Sequence, residues 1–401
     1  MATPSRRHLA DRTSELRPFL AMEVMERAFR MEDAGIDVVH LEIGEPAESP
    51  PRAASDAVAR ALAEGETAYS DSRGLRSLRE AIAADYDARF GVRVDPERII
   101  VTSGTSPALL LAFSLLIDPG DEVVVPAPVY PCYPNFIRFC GGVPVFVPTE
   151  AENGFAIDLD RIAEAVSPRT RAILVNSPCN PTGAIQTRAT LEGLAHWGLP
   201  ILSDEIYDGL TYDDRKVASA SELEADTFVF DGFSKRYAMT GFRLGWAVVP
   251  DWATRPLQTM QQNFFISANR FVQHAGIAAL KEGGPDVERM RSGYQRKRDL
   301  LVGGLRRLGF GVPRVPDGAF YVLADARSFG ADSRDLAEVL LERARVGTTP
   351  GIDFGPEAEG MLRFCYAVEE EAIEEALSRL EPVLKALRAD TQRKSEREEE
   401  R

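Results

Sequence analysis

The clearest pattern in the chain is the alternation of hydrophobic and polar segments between about residues 98 and 250. Short β-branched runs alternate there with helical stretches and turns, which is typical of βα units that build a largely parallel sheet. The pattern predicts seven strands: Arg98–Thr102, Glu122–Pro126, Val143–Val147, Arg171–Asn176, Leu199–Ser203, Thr227–Phe230 and Leu244–Val249. The predicted fold class is α/β, with a mostly parallel seven-stranded sheet flanked by helices and a smaller α+β domain.

The flanking regions show helical periodicity with little strand material. The predicted helices are Phe19–Ala34, Arg52–Ala63, Pro285–Leu308, Ser333–Ala344 and Glu369–Leu387, and the predicted strands are Ala319–Ala324 and Met361–Tyr366. We therefore expect an N-terminal arm that forms part of a small domain (1–46), a large domain (47–290) and a small C-terminal domain (291–387). Residues 388–401 are predicted to be a disordered tail, because no apolar residue follows Ala389.

Charge and composition exclude several classes of partner. The chain has 47 basic and 62 acidic residues, a net charge of −15, which suits neither nucleic acid nor an anionic membrane. Its longest apolar run, around Ala108–Ile117, is shorter than the ~18 residues of a membrane span. Four cysteines and four histidines, without a metal-binding motif, indicate reduced thiols and no metal site. We expect a cytoplasmic protein.

A lysine between phosphate-type ligands is the first candidate for chemistry. Ser234 and Lys235 follow a predicted strand, and Arg243 lies eight residues beyond the lysine. A lysine amine forms a Schiff base with an aldehyde, while a hydroxyl and a guanidinium hold a phosphate dianion. Taken alone, so short a block is more often a solvated loop.

Three further blocks end at polar residues beside predicted strands. Asn180 lies in a turn rich in proline and asparagine, and Asp204, with Tyr207 three residues later, ends an apolar strand. A carboxylate in that place needs a cationic partner, such as a protonated pyridine nitrogen. Gly104 and Thr105 precede an apolar helix, whose N-terminus suits an anion. Turn chemistry or helix capping explains each block by itself.

In this order and spacing, the four blocks resemble the class I/II, fold-type I pyridoxal-phosphate aminotransferases of the aspartate aminotransferase branch. Unrelated turns and caps would not fall in one family's order, so the joint occurrence argues against explaining each block by itself. The resemblance covers nearly everything from Leu41 to Leu387. It extends to these further segments: Ile43-Gly44-Glu45-Pro46, Tyr69 before Gly74-Leu75, Ala127-Pro128-Val129-Tyr130-Pro131-Cys132-Tyr133-Pro134, Pro316-Asp317-Gly318-Ala319-Phe320-Tyr321 and Arg363-Phe364-Cys365-Tyr366-Ala367.

The resemblance implies a role for each matching position around the cofactor, pyridoxal 5′-phosphate. Lys235 would form the Schiff base with it and then move the proton at the substrate's α-carbon. Asp204 would keep the pyridine nitrogen protonated, and Tyr207 and Asn180 would bond its phenolic oxygen. Tyr130 would stack on the ring. The implied catalytic residues are thus Lys235, Asp204 and Tyr207.

The same resemblance implies a phosphate site and a dimer. Gly104, Thr105, Ser234 and Arg243 would hold the cofactor phosphate. Tyr69 would reach that phosphate from the neighbouring subunit, so the resemblance implies a homodimer.

For the substrate, the resemblance implies that Arg363 binds the α-carboxylate, with Gly44 and Asn180 in the same pocket. A planar, bidentate guanidinium suits that task better than an ammonium. Some dicarboxylate-specific members carry an arginine for the distal carboxylate, but 261–265 contains none, and Arg270 is an uncertain substitute. We therefore expect neutral or aromatic amino donors in preference to aspartate.

The implied function is transfer of an amino group from an α-amino acid to a 2-oxo acid, either 2-oxoglutarate or pyruvate. One alternative is a lyase on the same fold that eliminates a β- or γ-substituent such as a thiol, which the motifs do not separate from a transaminase. A remote alternative is a non-catalytic regulator that senses the cofactor. Only about 40 residues precede the matching region, which leaves no room for a DNA-binding module.

Overall fold

The hydrophobic segments form strands and helices in a computed structural model, which describes residues 9–330 and 332–399, the last ten by their backbone alone. The strands are β1 (Val39–His40), β2 (Ile99–Thr102), β3 (Glu122–Ala127), β4 (Val143–Pro148), β5 (Thr170–Asn176), β6 (Ile201–Asp204), β7 (Thr227–Gly232), β8 (Gly245–Val248), β9 (Tyr321–Asp325), β10 (Val346–Gly347), β11 (Thr349–Pro350) and β12 (Met361–Cys365). The helices are α1 (Leu20–Asp33), α2 (Arg52–Ala63), α3 (Arg76–Phe90), α4 (Thr105–Leu116), α5 (Cys132–Phe139), α6 (Leu159–Ala165), α7 (Arg188–Ala195), α8 (Asp251–Phe264), α9 (Arg270–Glu282), α10 (Gly284–Leu308), α11 (Ser333–Val339) and α12 (Glu370–Glu399).

The central sheet has seven strands in the order β2-β8-β7-β6-β5-β3-β4. Strand β8 is antiparallel to both of its neighbours, and the other adjacent strands are parallel. The predicted α/β fold class is therefore confirmed. In register, Asn176 lies beside Asp204, and Asp204 beside Phe230, so these strands end together at one edge of the sheet. That edge is where open α/β sheets bind ligands.

Helices cover both faces of this sheet, which explains its nearly continuous apolar strands. Side chains alternate between two buried clusters: Leu174 and Leu202 pack on the side of α4, whereas Ile173 and Ile201 pack on the side of α7. Within the described part of the chain, no helix is both long and apolar enough to cross a membrane.

The C-terminal part builds a second, smaller sheet from β9, β11 and β12, with antiparallel pairing. The N-terminal strand joins this part of the molecule, because Val39 pairs with Val346 and His40 with Gly347 in a parallel ladder. Residues 39–40 and 346–347 are far apart in sequence, so this pairing is a tertiary one. The domain boundaries themselves stay a prediction.

Two C-terminal segments differ in form from the sequence-based expectation. The helix expected over 333–344 is α-helical only to Val339 and continues as a π-helical turn over Leu340–Ala344. Residues 388–399, which we expected to be disordered, continue α12. That segment consists largely of Glu, Arg, Lys and Gln, which have high helix propensity even without an apolar face. The rest of the predicted tail, 400–401, and residues 1–8 of the predicted arm lie outside the described residues.

Candidate active site

A cavity of about 470 Å³ opens at the carboxyl edge of the central sheet. Ten of the twelve side chains or glycines predicted for the site line it, and Gly104 and Tyr69 are the two that do not. The lining comes from the strand ends of the large sheet, from β9 and β12, and from the start of α1. The lining residues are Phe19, Met22, Ile43, Gly44, Glu45, Thr105, Ser106, Leu109, Tyr130, Tyr133, Asn180, Asp204, Ile206, Tyr207, Ser234, Lys235, Thr240, Arg243, Tyr321 and Arg363.

Lys235 lies on a short loop that follows β7. Phe233, which is fully buried, anchors the loop, since its carbonyl oxygen accepts hydrogen bonds from the amides of Tyr237 and Met239. The ammonium of Lys235 donates to the carbonyl oxygen of Gly44 at 2.5 Å. Burial lowers the pKa of Lys235 to about 8. At pH 7 about one-tenth of such an amine is unprotonated, a far larger fraction than for an ordinary lysine, and that form is the nucleophile.

Asp204 is the last residue of β6 and is buried. Its Oδ2 accepts a hydrogen bond from the hydroxyl of Tyr133 at 2.6 Å, and its Oδ1 accepts one from the amide of Ile206 at 3.1 Å. Burial raises the pKa of Asp204 to about 6, while these two bonds oppose the rise. Among the described residues no cation pairs with it directly, so the carboxylate is available to a cationic group in the cavity.

Two tyrosine hydroxyls meet in the cavity wall. The hydroxyls of Tyr207 and Tyr321 lie 2.8 Å apart, and the two rings meet edge to face with centroids 5.7 Å apart. A Cβ atom on Gly44 would collide with the hydroxyl of Tyr321, so glycine is required there for this close approach. Burial raises the pKa of Tyr207 well above its usual value, which keeps its hydroxyl protonated.

The N-terminus of α4 and Arg243 lie together in the cavity wall. Gly104 precedes α4 with a φ of 93°, a conformation that favours glycine. A Cβ on Gly104 would lie 2.6 Å from Nη2 of Arg243, so the guanidinium packs against the helix start. Thr105, the first residue of α4, and Ser234 also line the cavity. Free amides at a helix N-terminus, hydroxyls and a guanidinium together suit a phosphate group.

Arg363 lies within β12 and is 1% exposed. Its Nη1 donates to Oδ1 of Asn180 at 2.9 Å, and its Nη2 donates to the carbonyl of Glu42 and to Oγ1 of Thr349. The guanidinium lies 4.4 Å from the ring centroid of Tyr321. Its buried Nε has no hydrogen-bond partner among the described residues. The guanidinium is therefore held in place and retains bonding capacity.

Tyr69 is the predicted site residue that lies apart from the cavity of its own chain. Its side chain is 81% exposed, and the amide of the next residue, Ser70, donates to Oγ of Ser267 at 3.4 Å. The neighbouring Phe264 and Ile266 are exposed as well. Among the residues that the structure describes, Tyr69 does not line the cavity and its hydroxyl has no partner there.

Comparison with known proteins gives the family. The family model for aminotransferase class I and II matches residues 36–380. The chain belongs to the class I and II aminotransferases. It is 37% identical over 397 residues to a probable aspartate/prephenate aminotransferase of Aquifex aeolicus, covering 95% of this chain and 100% of the relative. It is 35% identical to aromatic-amino-acid aminotransferase 2 of Thermococcus litoralis, over 94% of this chain and 98% of that protein.

The solved structure of the aspartate aminotransferase from Thermus thermophilus with maleate is similar throughout. It matches with a TM-score of 0.90 at 38% identity, covering 94% of this chain and all of that one. The chain is therefore a pyridoxal-phosphate-dependent aminotransferase that moves an amino group between an amino acid and a 2-oxo acid. The named relatives are aminotransferases, so nothing in these comparisons favours the lyase alternative.

The residues present in this aminotransferase fit pyridoxal 5′-phosphate. Lys235 offers an amine with a lowered pKa, and Asp204 offers a buried carboxyl without a cationic partner among the described residues. The start of α4 with Arg243 offers an anion site in the same cavity. An aldehyde, a ring nitrogen and a phosphate need these three kinds of group.

Two tyrosines of the aminotransferase site, Tyr133 and Tyr321, make contacts that sequence reasoning did not predict. Tyr133 donates to Asp204, and Tyr321 contacts both Tyr207 and Arg363. Both lie in segments that already carried the family resemblance, so those segments were the available signal. Their contacts depend on tertiary structure, since Tyr133 and Asp204 are 71 positions apart.

Proposed function

We propose that this aminotransferase uses amino donors with neutral or aromatic side chains and passes the amino group to 2-oxoglutarate or pyruvate. We also propose that it works in the cytoplasm. Its four cysteines are free thiols, which agrees with a reducing compartment.

The catalytic roles that we propose belong to Lys235, Asp204 and Tyr207. When bound, pyridoxal phosphate supplies the electron sink that stabilises a carbanion at the substrate's α-carbon. Lys235 binds the cofactor and holds or releases the proton at its Nζ, for which a pKa near 8 is well suited. Asp204 holds a proton on the ring nitrogen by its negative charge. Tyr207 and Asn180 donate to the phenolic oxygen, and Tyr130 stacks on the ring.

We propose that the phosphate is bound by Gly104, Thr105, Ser234 and Arg243. The last three line the cavity, and Gly104 packs against the guanidinium of Arg243. On the substrate side, we propose that Arg363 binds the α-carboxylate. This proposal is supported by its burial, its fixed orientation and its unpaired Nε.

The donor preference rests on one observation, the distribution of charge in the cavity. Within the described lining, the cations are Lys235, Arg243 and Arg363, each of which already has a proposed partner. A distal carboxylate would therefore lack a cation and would meet the carboxylate of Glu45. The remaining lining is largely apolar: Phe19, Met22, Ile43, Leu109 and Tyr130.

Arg270, the uncertain substitute, is engaged elsewhere in this chain. It forms an ion pair with Glu66 and does not line the cavity. The names of the relatives include both aspartate and aromatic aminotransferases, so names alone do not decide the donor.

A panel of amino donors tests this proposal. With 2-oxoglutarate or pyruvate as acceptor, we expect phenylalanine, tyrosine or neutral aliphatic donors to give a higher kcat/KM than aspartate. Aspartate or glutamate in first place, with Arg270→Ala reversing that order, would contradict the donor preference and identify the cation. Release of pyruvate and ammonia from a β-substituted donor without any acceptor would instead support the lyase alternative.

We propose that the active form is a homodimer. Tyr69 is 81% exposed, Phe264 is 64% exposed and Ile266 is 47% exposed. The hydrogen bond between Ser70 and Ser267 brings the segments of these three side chains together. They form an exposed apolar surface that a second copy of the chain would cover. Tyr69 would then contact the phosphate in the other subunit. A catalytically active monomer in sedimentation at assay concentration would contradict this.

A further inference from the structure

We propose that His40 and Glu42 are positioning residues for Arg363: their side chains hold the backbone carbonyl of Glu42 where it receives the guanidinium. The proposal rests on the role proposed above for Arg363 as the group that binds the α-carboxylate. Neither His40 nor Glu42 lines the cavity, so both would act through the backbone between them and the site.

The carboxylate of Glu42 is buried, and among the described residues its one hydrogen-bond partner is the ring of His40. Its side chain is 0% exposed, and its Oε1 lies 2.6 Å from Nδ1 of His40. Its Oε2 is buried without a hydrogen-bond partner among the described residues, and a Cβ on Gly347 would collide with it. A buried carboxylate is costly unless a cation or donors compensate it. His40 therefore fixes where this side chain lies.

The backbone of the same residue reaches the active site. The carbonyl of Glu42 accepts hydrogen bonds from Nη2 of Arg363 and from Oγ1 of Thr349, the latter at 2.8 Å. Two residues further on, the carbonyl oxygen of Gly44 accepts a hydrogen bond from the ammonium of Lys235. One short segment thus contacts both the proposed carboxylate-binding arginine and the proposed catalytic lysine. A shift of Glu42 would move the oxygen that orients Arg363.

The surroundings of His40 favour its cationic form. Besides Glu42 on its own strand, its Nε2 lies 3.2 Å from Glu32 of α1, and its ring centroid lies 5.5 Å from that of Phe29, also on α1. The strand beside it, β10, contributes only Val346 and Gly347. Two arginines of the flanking elements, Arg345 and Arg379, interact with Asp37 and lower its pKa.

The charge on His40 supplies a pH readout. The bond to Glu42 raises the pKa of His40 to about 9, against 6.5 in an unfolded chain. The imidazolium pairing is therefore fully present below pH 6.5 and is lost as the pH rises through about 9. Above that pH the neutral ring of His40 no longer forms an ion pair with Glu42, so the segment should be held less firmly.

Substitution of His40 in the holoenzyme tests the proposal. His40→Leu should raise about tenfold both the KM of the best donor and the Kd of its analogue without an amino group, while kcat changes little. That analogue is 3-phenylpropanoate, or succinate if aspartate ranks first. His40→Asn keeps a donor for Glu42 and should restore most of the affinity near pH 7. The matched control His196→Leu, at the end of α7 and outside the cavity, should change neither constant.

The pH profile and a double-mutant cycle separate positioning from a general loss of stability. The Kd of wild type should rise relative to that of His40→Asn above about pH 9, because asparagine does not titrate. Arg363→Lys should weaken binding by itself, and His40→Leu should add little in that background, since both changes affect one guanidinium.

Two results would overturn the inference while leaving the role of Arg363 intact. One is a folded His40→Leu variant whose Kd is within twofold of wild type, although Arg363→Lys weakens binding. The other is a ratio of wild-type to His40→Asn Kd that stays flat from pH 7 to 10. An unchanged Kd in Arg363→Lys would instead overturn the proposed role of Arg363, and this inference with it.

Discussion

The two walls of the cavity are built from different kinds of position. On the side of the large sheet, the functional groups lie at the ends of parallel strands or just after them. Asp204 is the last residue of β6, and Lys235 follows β7. On the opposite side, Arg363 lies inside β12, and two of its three hydrogen-bond partners come from distant parts of the chain. Arg363 is separated from Asn180 by 183 positions and from Glu42 by 321.

The walls differ in electrostatics as well. The large-sheet wall contains ionisable groups with shifted pKa values, since burial raises that of Asp204 to about 6 and lowers that of Lys235 to about 8. Arg363 is instead compensated by neutral oxygens of Asn180 and Thr349 and by a backbone carbonyl. The first wall is suited to proton transfer and the second to holding an anion in a fixed orientation.

Replacement of Lys235 should give the largest effect and tests the large-sheet wall. Lys235→Ala removes the amine that we assign to cofactor binding and proton transfer, so kcat should fall by more than about 10³-fold. Steady-state kinetics and the visible absorbance of the loaded protein measure this. Lys216→Ala, an exposed lysine on a loop, is the control. A Lys235→Ala enzyme that works at wild-type rate would refute the assignment.

The sequence predicted the large-sheet wall of the cavity better than the opposite wall. The seven strands and the polar residues at their ends could be recognised because a strand-end position is local and the edge of a parallel sheet brings such positions together. Even the helix over residues 52–63 was predicted with its observed limits. The contacts of Arg363 could not be derived locally, because they require β1 to pair with β10 across about 300 residues.

Arg363→Lys tests the opposite wall and should give the next largest effect. Lysine keeps the charge but cannot reproduce the fork that contacts Asn180 and Glu42 together. We expect kcat/KM to fall about 10- to 100-fold for every donor, mainly through KM. Arg255→Lys, an exposed position in α8, should behave like wild type. A loss confined to one class of donor would show that Arg363 reads the side chain instead.

Tyr133→Phe sharpens the picture of the large-sheet wall through its pH dependence. The Tyr133 hydroxyl donates to Asp204 and so lowers a pKa that burial raises to about 6. Without that bond the pKa of Asp204 rises further, so the acidic limb of the kcat/KM profile should move to higher pH. The expected shift is about half to one unit, since such a bond contributes ~1 kcal/mol. Tyr86→Phe, a buried tyrosine outside the cavity, should leave the limb in place.

The smallest effect is expected at the C-terminal end of α12, away from both walls. Arg388 donates to the carbonyl of Gly309 at 3.0 Å and lies 4.6 Å from the ring centroid of Phe329, whereas no apolar residue follows Ala389. Truncation after Ala389 should therefore leave kcat/KM and Tm close to wild type. Truncation after Leu387 also removes Arg388 and should cost about 1 kcal/mol of unfolding free energy without changing kcat. Arg388→Ala in the full chain is the matched control. A large loss of activity on truncation after Ala389 would mean that the last turns of α12 contact the rest of the enzyme.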